Sequence, residues 1–283
     1  MELRRLEEQE HQKTRKLWEE VFSDDTRAFL DYYYFIKTKE NEIWVIEEDG
    51  EIQSMLQLNP YQLQVAEHPF LCRYIIAVAT RAQYRSRGYM SSLLRKAMQE
   101  MYGKKEPFTF LMPAAEAIYT PYDFRFVYSQ RQAVFEKKAE TELIEEEDAT
   151  MFQAEELAAF AKERLFGTAR VYAVRDAHYY QTRVLEQQSE NGGIRMLKKD
   201  GKLVGIYCYA KEETCEVLEP LILPGYETVF WDSISGLSEK PVKVLACPEV
   251  LEPCARSVER KPMIMVRILH CLLYTSPSPR DMR

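Results

Sequence analysis

Arg85, Arg87 and Gly88 stand between the most apolar run of the chain, Phe70 to Thr80, and an amphipathic run from about Gly88 to Tyr102. Read as strand, loop and helix, that order makes an anion site. The first turn of a helix leaves main-chain N–H groups unpaired, and its dipole favours negative charge. Gly88 lets the backbone approach a ligand closely. Arg85 and Arg87 can pair further phosphate charge, and Ser86, Tyr89 and Met90 complete the loop. A second chemical group lies downstream, in Ala117-Ile118-Tyr119-Thr-Pro-Tyr122-Asp-Phe124. A phenol with a pKa of ~10 keeps its proton at neutral pH and can donate it as a general acid. Eighteen tyrosines make any single one weak evidence, so Tyr119 stands out only by its place.

The elements that must position these groups read as an α/β unit over residues 1 to 140. Leu3 to Leu6 is a strand, followed by helices over Glu8–Phe22 and Arg27–Ile36, the second with Asp24 and Asp25 placed to cap it. Ile43–Ile46 and Ile52–Leu58 form a hairpin about Glu48-Asp49-Gly50. Ile75 to Ala79 reads as a strand buried on both faces. Met90, Leu93, Leu94, Ala97, Met98 and Met101 recur at helical spacing. Phe108–Met112 is a strand, Ala114–Tyr122 a short helix, and Phe124–Tyr128 with Ala133–Lys137 close the unit.

An acidic stretch, Glu140 to Asp148, marks a solvated boundary. A second unit runs over 141–262. It holds a helix to Leu165, a strand at Val171–Val174, a helix capped by Asp176 and a hairpin at Asp200-Gly201. Arg164-Leu-Phe-Gly167-Thr-Ala169 repeats the Arg-x-x-Gly spacing, but it ends a helix and precedes a strand. Gly167 there reads as a helix C-cap, and no ligand is assigned to it.

Composition narrows the function. A net charge of −7 argues against wrapping nucleic acid, and no apolar run reaches the ~18 residues of a membrane helix. Six scattered cysteines and four scattered histidines show neither disulfide density nor ligand spacing, so no metal is expected. A cytoplasmic protein follows from these features and from an N-terminus without a signal's apolar core. Self-association is left open. The segment from Cys271, with its Ser-Pro-Ser-Pro, reads unlike the rest and resembles a translated sequencing adapter.

Val78-Ala-Thr-x-x-x-Tyr84-Arg-x-Arg-Gly88 resembles the acetyl-CoA loop of the GNAT acetyltransferases, with Met90 in place of the family's last glycine or alanine. The resemblance implies tandem GNAT-like domains in a mixed sheet and acetyl-CoA as co-substrate. It also implies that main-chain groups of Val78, Ala79 and Thr80 meet the pantetheine arm. Tyr119, five residues before Phe124, matches the family's Tyr-x-x-x-Gly-Phe and takes the role of proton donor.

Over about residues 1 to 270 the chain further resembles the Eis-like acetyltransferases, through Ile118-Tyr119-x-x-Tyr122-x-Phe124, Val171 to Tyr180 and Lys261 to Ile268. There the donor tyrosine falls where Phe124 stands here, which leaves Tyr119 for that role. Asp24, Asp25, Phe124 and the aromatics Tyr32 to Tyr34 fall where that resemblance implies substrate contacts. The same resemblance makes 263–270 the entry to a truncated sterol-carrier-like domain, so the chain would be a fragment lacking a base donated from that domain. It would also leave Met263–Leu269 as an unpaired apolar edge.

Two functions remain open at this stage. One, which the resemblance implies, is an acetyl-CoA-dependent N-acetyltransferase acting on a primary amine of a polyamine-like small molecule, an aminoglycoside or a protein lysine. The other is a CoA- or lipid-binding scaffold without catalysis.

Overall fold

The computed structural model describes residues 1–138, 145–211 and 214–270. The expected boundary between 140 and 141, and the adapter-like segment 271–283, lie outside the described residues. Two compact units are present. One comprises Met1–Asp25, Tyr34–Tyr128 and the described residues from Met263; the other comprises Thr26–Tyr33 and Ser129–Pro262.

In the first unit, β1 (Glu2–Arg5) is followed by a 3₁₀ stretch over Glu8–Thr14 and by α1 (Arg15–Val21). The single helix expected over Glu8–Phe22 is therefore two pieces. The next helix, α2, spans Arg27–Phe35, and its residues up to Tyr33 count with the second unit. Its cap is Thr26, whose Oγ1 accepts from the Phe29 N–H at 3.1 Å. Asp25 is turned away to the indole of Trp18, which donates to its carboxylate at 2.6 Å. A buried indole N–H needs a partner more than an exposed helix end does, because water can satisfy the latter.

The sheet of this unit runs β1, β2 (Glu42–Glu48), β3 (Glu51–Val65), β4 (His68–Thr80) and β5 (Phe108–Leu111). The β2–β3 turn has positive φ at both Asp49 (56°) and Gly50 (76°), as a two-residue hairpin loop requires. Between β4 and β5 the chain forms α3 (Tyr89–Gly103), and the two strands are parallel. Leu93, Leu94, Ala97 and Met101 bury one face of α3 against Trp44, Leu56, Ile75 and Leu111 of the sheet. After β5 come a short α4 (Glu116–Tyr119), a 3₁₀ turn over Thr120–Tyr122, and β6 (Arg125–Phe135), one strand where two were expected.

The second unit contains β7 (Glu145–Asp148), α5 (Ala154–Leu165), β8 (Val171–Ala173), α6 (Ala177–Ser189), β9 (Gly193–Lys199), β10 (Lys202–Lys211), β11 (Cys215–Ile222), α7 (Glu227–Ser235) and β12 (Val242–Leu245). Its sheet runs β7, β9, β10, β11 and β12, with β11 and β12 parallel around α7. Asp176 caps α6 as expected, its side chain accepting from the Tyr179 N–H at 2.8 Å. Gly167, at φ +75°, ends the α5 segment in the expected left-handed conformation.

The chain then forms β13 (Ser257–Ile268). Met265 to Ile268 pair antiparallel with Leu111 to Phe108 of β5, and Met265 is fully buried. The unpaired apolar edge expected for this run is thus corrected. The outer side of β5 offers open ladder groups, and an alternating apolar strand pairs with such an edge before it stays in water.

Candidate functional site

The site starts from a fork in the first unit's sheet. The parallel rungs of β4 and β5 end at Ile75–Leu111, while β4 runs on to Thr80. Beyond the last rung, β4 presents an edge that β5 does not pair. A bulge sits on the other side of the same strand. Met55 pairs with Ala79 and Gln57 with Ile76, so Leu56 of β3 faces both Ala77 and Val78. Ala77 absorbs the extra residue at φ +52°, a conformation costly for any residue with a Cβ. The strand is bent where it leaves the ladder.

Past the fork, the loop after β4 closes over the end of α3. Ser86 (φ 63°) and Gly88 (φ 81°) are both left-handed, which turns successive main-chain N–H groups toward one concavity. A Cβ built on Gly88 would meet nothing within 4 Å, so the backbone there faces open space. The N–H groups of Tyr89 to Ser91 belong to the first helical turn. A cleft of about 560 Å³ opens at this point. Eight of the nine residues expected to bind cofactor line it: Val78, Ala79, Thr80, Arg85, Ser86, Gly88, Tyr89 and Met90. Tyr84, Ile118 and Tyr122 complete much of the remaining wall.

The ninth residue, Arg87, is absent from that lining but is held by two residues that belong to it, Tyr84 and Tyr89. Its guanidinium lies 4.7 Å from the centre of the Tyr84 ring, a cation–π contact. Arg85 is tied more lightly, its Nε donating to the Thr80 carbonyl at 3.2 Å. The hydroxyl of Tyr89 donates to the Glu48 carboxylate, and this hydrogen bond raises the Tyr89 pKa above the ordinary phenol value. That contact fastens the first residue of α3 to β2. Just after β4, Arg81 is held by Glu20 (3.2 Å) and Glu51 (2.5 Å), and its hydrogen bond lowers the Glu51 pKa.

Tyr119 ends α4 beside this cleft. Its neighbours Ile118 and Tyr122 line the cleft, whereas Tyr119 is 7% exposed and packs in the core between β4 and α3. Its hydroxyl has no hydrogen-bond partner among the described residues, and burial raises its pKa. The phenol is therefore protonated across the neutral range and uncommitted. Tyr74, on the second-last rung of the fork, feels the Tyr119 phenol; burial pushes Tyr74 itself up to about 12.

Of the residues expected to contact substrate, Phe124 is 0% exposed and packs inside the core. Asp25 holds Trp18, and Asp24 is exposed away from the cleft lining. Sequence reasoning missed the Ala77 bulge and the Tyr122 ring in the cleft. The first had no glycine to signal it. For Tyr122 the sequence holds no local signal that separates it from the many tyrosines that simply pack. Among the described residues no group of acidic, histidine and cysteine side chains could hold a metal ion, and no helix is long and apolar enough to cross a membrane.

A forked parallel strand pair, a bulge on its inner strand and a helix N-terminus at the fork's mouth define the GNAT acetyltransferase fold, a mixed α/β fold. Residues 2–127 match the family described as "Acetyltransferase (GNAT) domain". No curated protein matches the sequence. Among solved structures, a probable N-acyltransferase from Enterococcus faecalis V583 is similar at a TM-score of 0.78 and 16% identity, over 95% of this chain and 72% of that one. A GCN5-related N-acetyltransferase from Kribbella flavida gives 0.74 and 14%, over 95% and 72%. Eis1 from Mycobacterium abscessus gives 0.67 and 14%, over 95% and 74%. At these identities the likeness is one of fold.

Proposed function

We propose that the first unit is an acetyl-CoA-dependent N-acetyltransferase acting on a primary amine of a small molecule or peptide. The observation that carries this reading is the convergence on one cleft of the unpaired β4 edge, the Arg85–Met90 loop and the α3 N-terminus. The residues present fit the co-substrate. Arg85 and the N–H groups opening α3 suit a pyrophosphate. The open space at Gly88 admits the close approach, and the β4 edge from Ile76 to Thr80 suits the amides of a pantetheine arm. Acetyl-CoA supplies the activated acyl group.

The chain's own residues supply the rest. Main-chain N–H groups at the Ala77–Val78 bulge are the donors available to a developing oxyanion, fixed before the reaction begins. Tyr119 holds a proton on an uncommitted hydroxyl and is the donor for the leaving thiolate. Phe124 has no proton to give and instead supports the Tyr119 ring.

An acetyl-CoA titration followed by a thiol-release assay over a panel of primary amines tests the reading. Saturable binding with amine-dependent thiol release supports it. Binding without release on any amine favours the non-catalytic scaffold, and absence of binding removes both the enzyme and a CoA-binding scaffold.

A further inference from the structure

The helix that opens the cleft begins without a cap. An ordinary helix fixes its first turn with a side chain that accepts from the free N–H groups there. In α3 the N-cap is Gly88, no side chain among the described residues caps it, and the first turn carries no acidic residue. Those N–H groups are left for a ligand, so the helix start must be held from another side. Tyr89 holds it. This first helical residue is buried, and its hydroxyl donates to the carboxylate of Glu48 at the end of β2. That end of β2 is itself fixed. Glu48 stands on the last rung with Glu51, and its carbonyl accepts from the Gln53 side-chain amide at 3.0 Å. The contacts run on into the loop. Arg87 reaches the same Tyr89 hydroxyl and lies over the Tyr84 ring, whose centre is 6.0 Å from that of Tyr89. Tyr84 and Tyr89 both line the cleft, whereas Glu48 stands behind it.

We propose that Glu48 is a positioning residue for the co-substrate loop: through the Tyr89 hydroxyl it fixes the uncapped start of α3 and the place of Arg87 beside the cleft. This inference rests on the acetyl-CoA reading of the same cleft. A carboxylate this near a helix N-terminus repels an incoming pyrophosphate unless its charge is offset. Arg87 offsets it, and what remains of the contact is its geometry. A first turn displaced by about 1 Å would no longer aim its N–H groups at one phosphate. The anchor arranges helix start and loop before the ligand arrives, which lowers the ordering cost of binding. Glu48 lies outside the cleft lining, so its effect falls on the KM for acetyl-CoA and not on the chemical step.

Glu48→Ala should raise the KM for acetyl-CoA about tenfold, what one hydrogen bond to a charged group is worth, with kcat within about twofold of the wild type. Glu48→Gln keeps an acceptor for the Tyr89 hydroxyl and should bring KM back to within about threefold. Tyr89→Phe should match Glu48→Ala, and the double variant should be no worse than either, because each breaks the same contact. Hydrogen exchange over Tyr89–Leu94 in the free protein gives a readout that needs no co-substrate. It should quicken about tenfold in Glu48→Ala and Tyr89→Phe, first at the Ser92 N–H, which donates to the Gly88 carbonyl at 2.9 Å. Unchanged exchange, a wild-type KM in Glu48→Ala, a loss confined to kcat, a Glu48→Gln variant as impaired as Glu48→Ala, or additive losses in the double variant overturns the proposal. Exchange that quickens as expected in a protein that binds no acetyl-CoA would instead overturn the acetyltransferase reading alone.

Discussion

The ring of Tyr119 meets the ring of Phe124 edge-on, with centres 6.0 Å apart and planes 69° apart. Phe124 is wholly buried, and the Phe124 N–H donates to the Tyr119 carbonyl at 3.4 Å, so the pair is fixed by both ring and backbone. One residue can act in chemistry and the other can only hold it in place.

Tyr119→Phe should therefore lower kcat by about 10²-fold and leave acetyl-CoA affinity nearly unchanged, since general acid catalysis is worth roughly that much. Burial raises the Tyr119 pKa, so the alkaline limb of the wild-type rate profile should fall above the ordinary phenol value of ~10. Full activity in the variant would move the role to another group, with Tyr122 in the cleft wall the next to substitute.

Moving the hydroxyl to position 124 should not rescue it. Phe124→Tyr places a phenol where no water reaches, at a cost of about 1–3 kcal/mol when the hydroxyl finds no partner. Urea denaturation of the variant beside the wild type measures this loss. A variant as stable as the wild type would mean that the core opens to admit the group.

Arg85 and Arg87 should differ. Arg85→Ala is expected to weaken acetyl-CoA binding by about 1.5–3 kcal/mol, the range for hydrogen bonds to charged groups. Arg87 is absorbed by the Tyr84 ring, so Arg87→Ala should cost less. Calorimetry on the two single variants decides, and equal losses would show that Arg87 leaves the ring when the ligand arrives.

Two left-handed positions should respond to substitution through strain. Gly88→Ala meets no atom within 4 Å, so its cost should be only the conformational one, about 1–2 kcal/mol. Ala77→Val puts a β-branched side chain at φ +52° and should cost more, about 2–3 kcal/mol. Denaturant midpoints for both would check the order.

His11 is 5% exposed, and its Nδ1 lies 2.9 Å from the Thr38 carbonyl. Burial lowers its pKa below the ordinary value, against the opposing pull of that carbonyl. The unfolded chain thus binds a proton at a higher pH than the fold does. Stability is intact above the unfolded value of ~6.5 and falls as pH drops through it toward the folded value. Denaturation at pH 7.5 and 5.5 should show this fall, and His11→Gln should reduce it. An unchanged slope in the variant would place the proton uptake elsewhere.

What the sequence alone determined is local. The Arg85–Met90 loop, the α3 stripe, the Asp176 cap and the Gly167 C-cap all depend on residues a few positions apart. Main-chain N–H groups at a helix start point outward whatever the rest of the chain does. The decoy at Arg164–Gly167 could be set aside on the same local grounds, because its helix ends there instead of beginning.

The tertiary structure decided what depends on distant partners. Ala77 is left-handed because β3 offers Leu56 alone opposite two residues of β4, a mismatch no stretch of β4 by itself reveals. Asp25 was lost as a helix cap to an indole seven residues away, and Arg87 is held over the Tyr84 ring of the cleft wall. Met265 became core because β5 had an open edge to pair with. The rings of Tyr61, Tyr74 and Phe110 meet from three strands, where pairing register sets which rings meet. Register is a property of the sheet, since a one-residue slip would turn each of those rings to the other face.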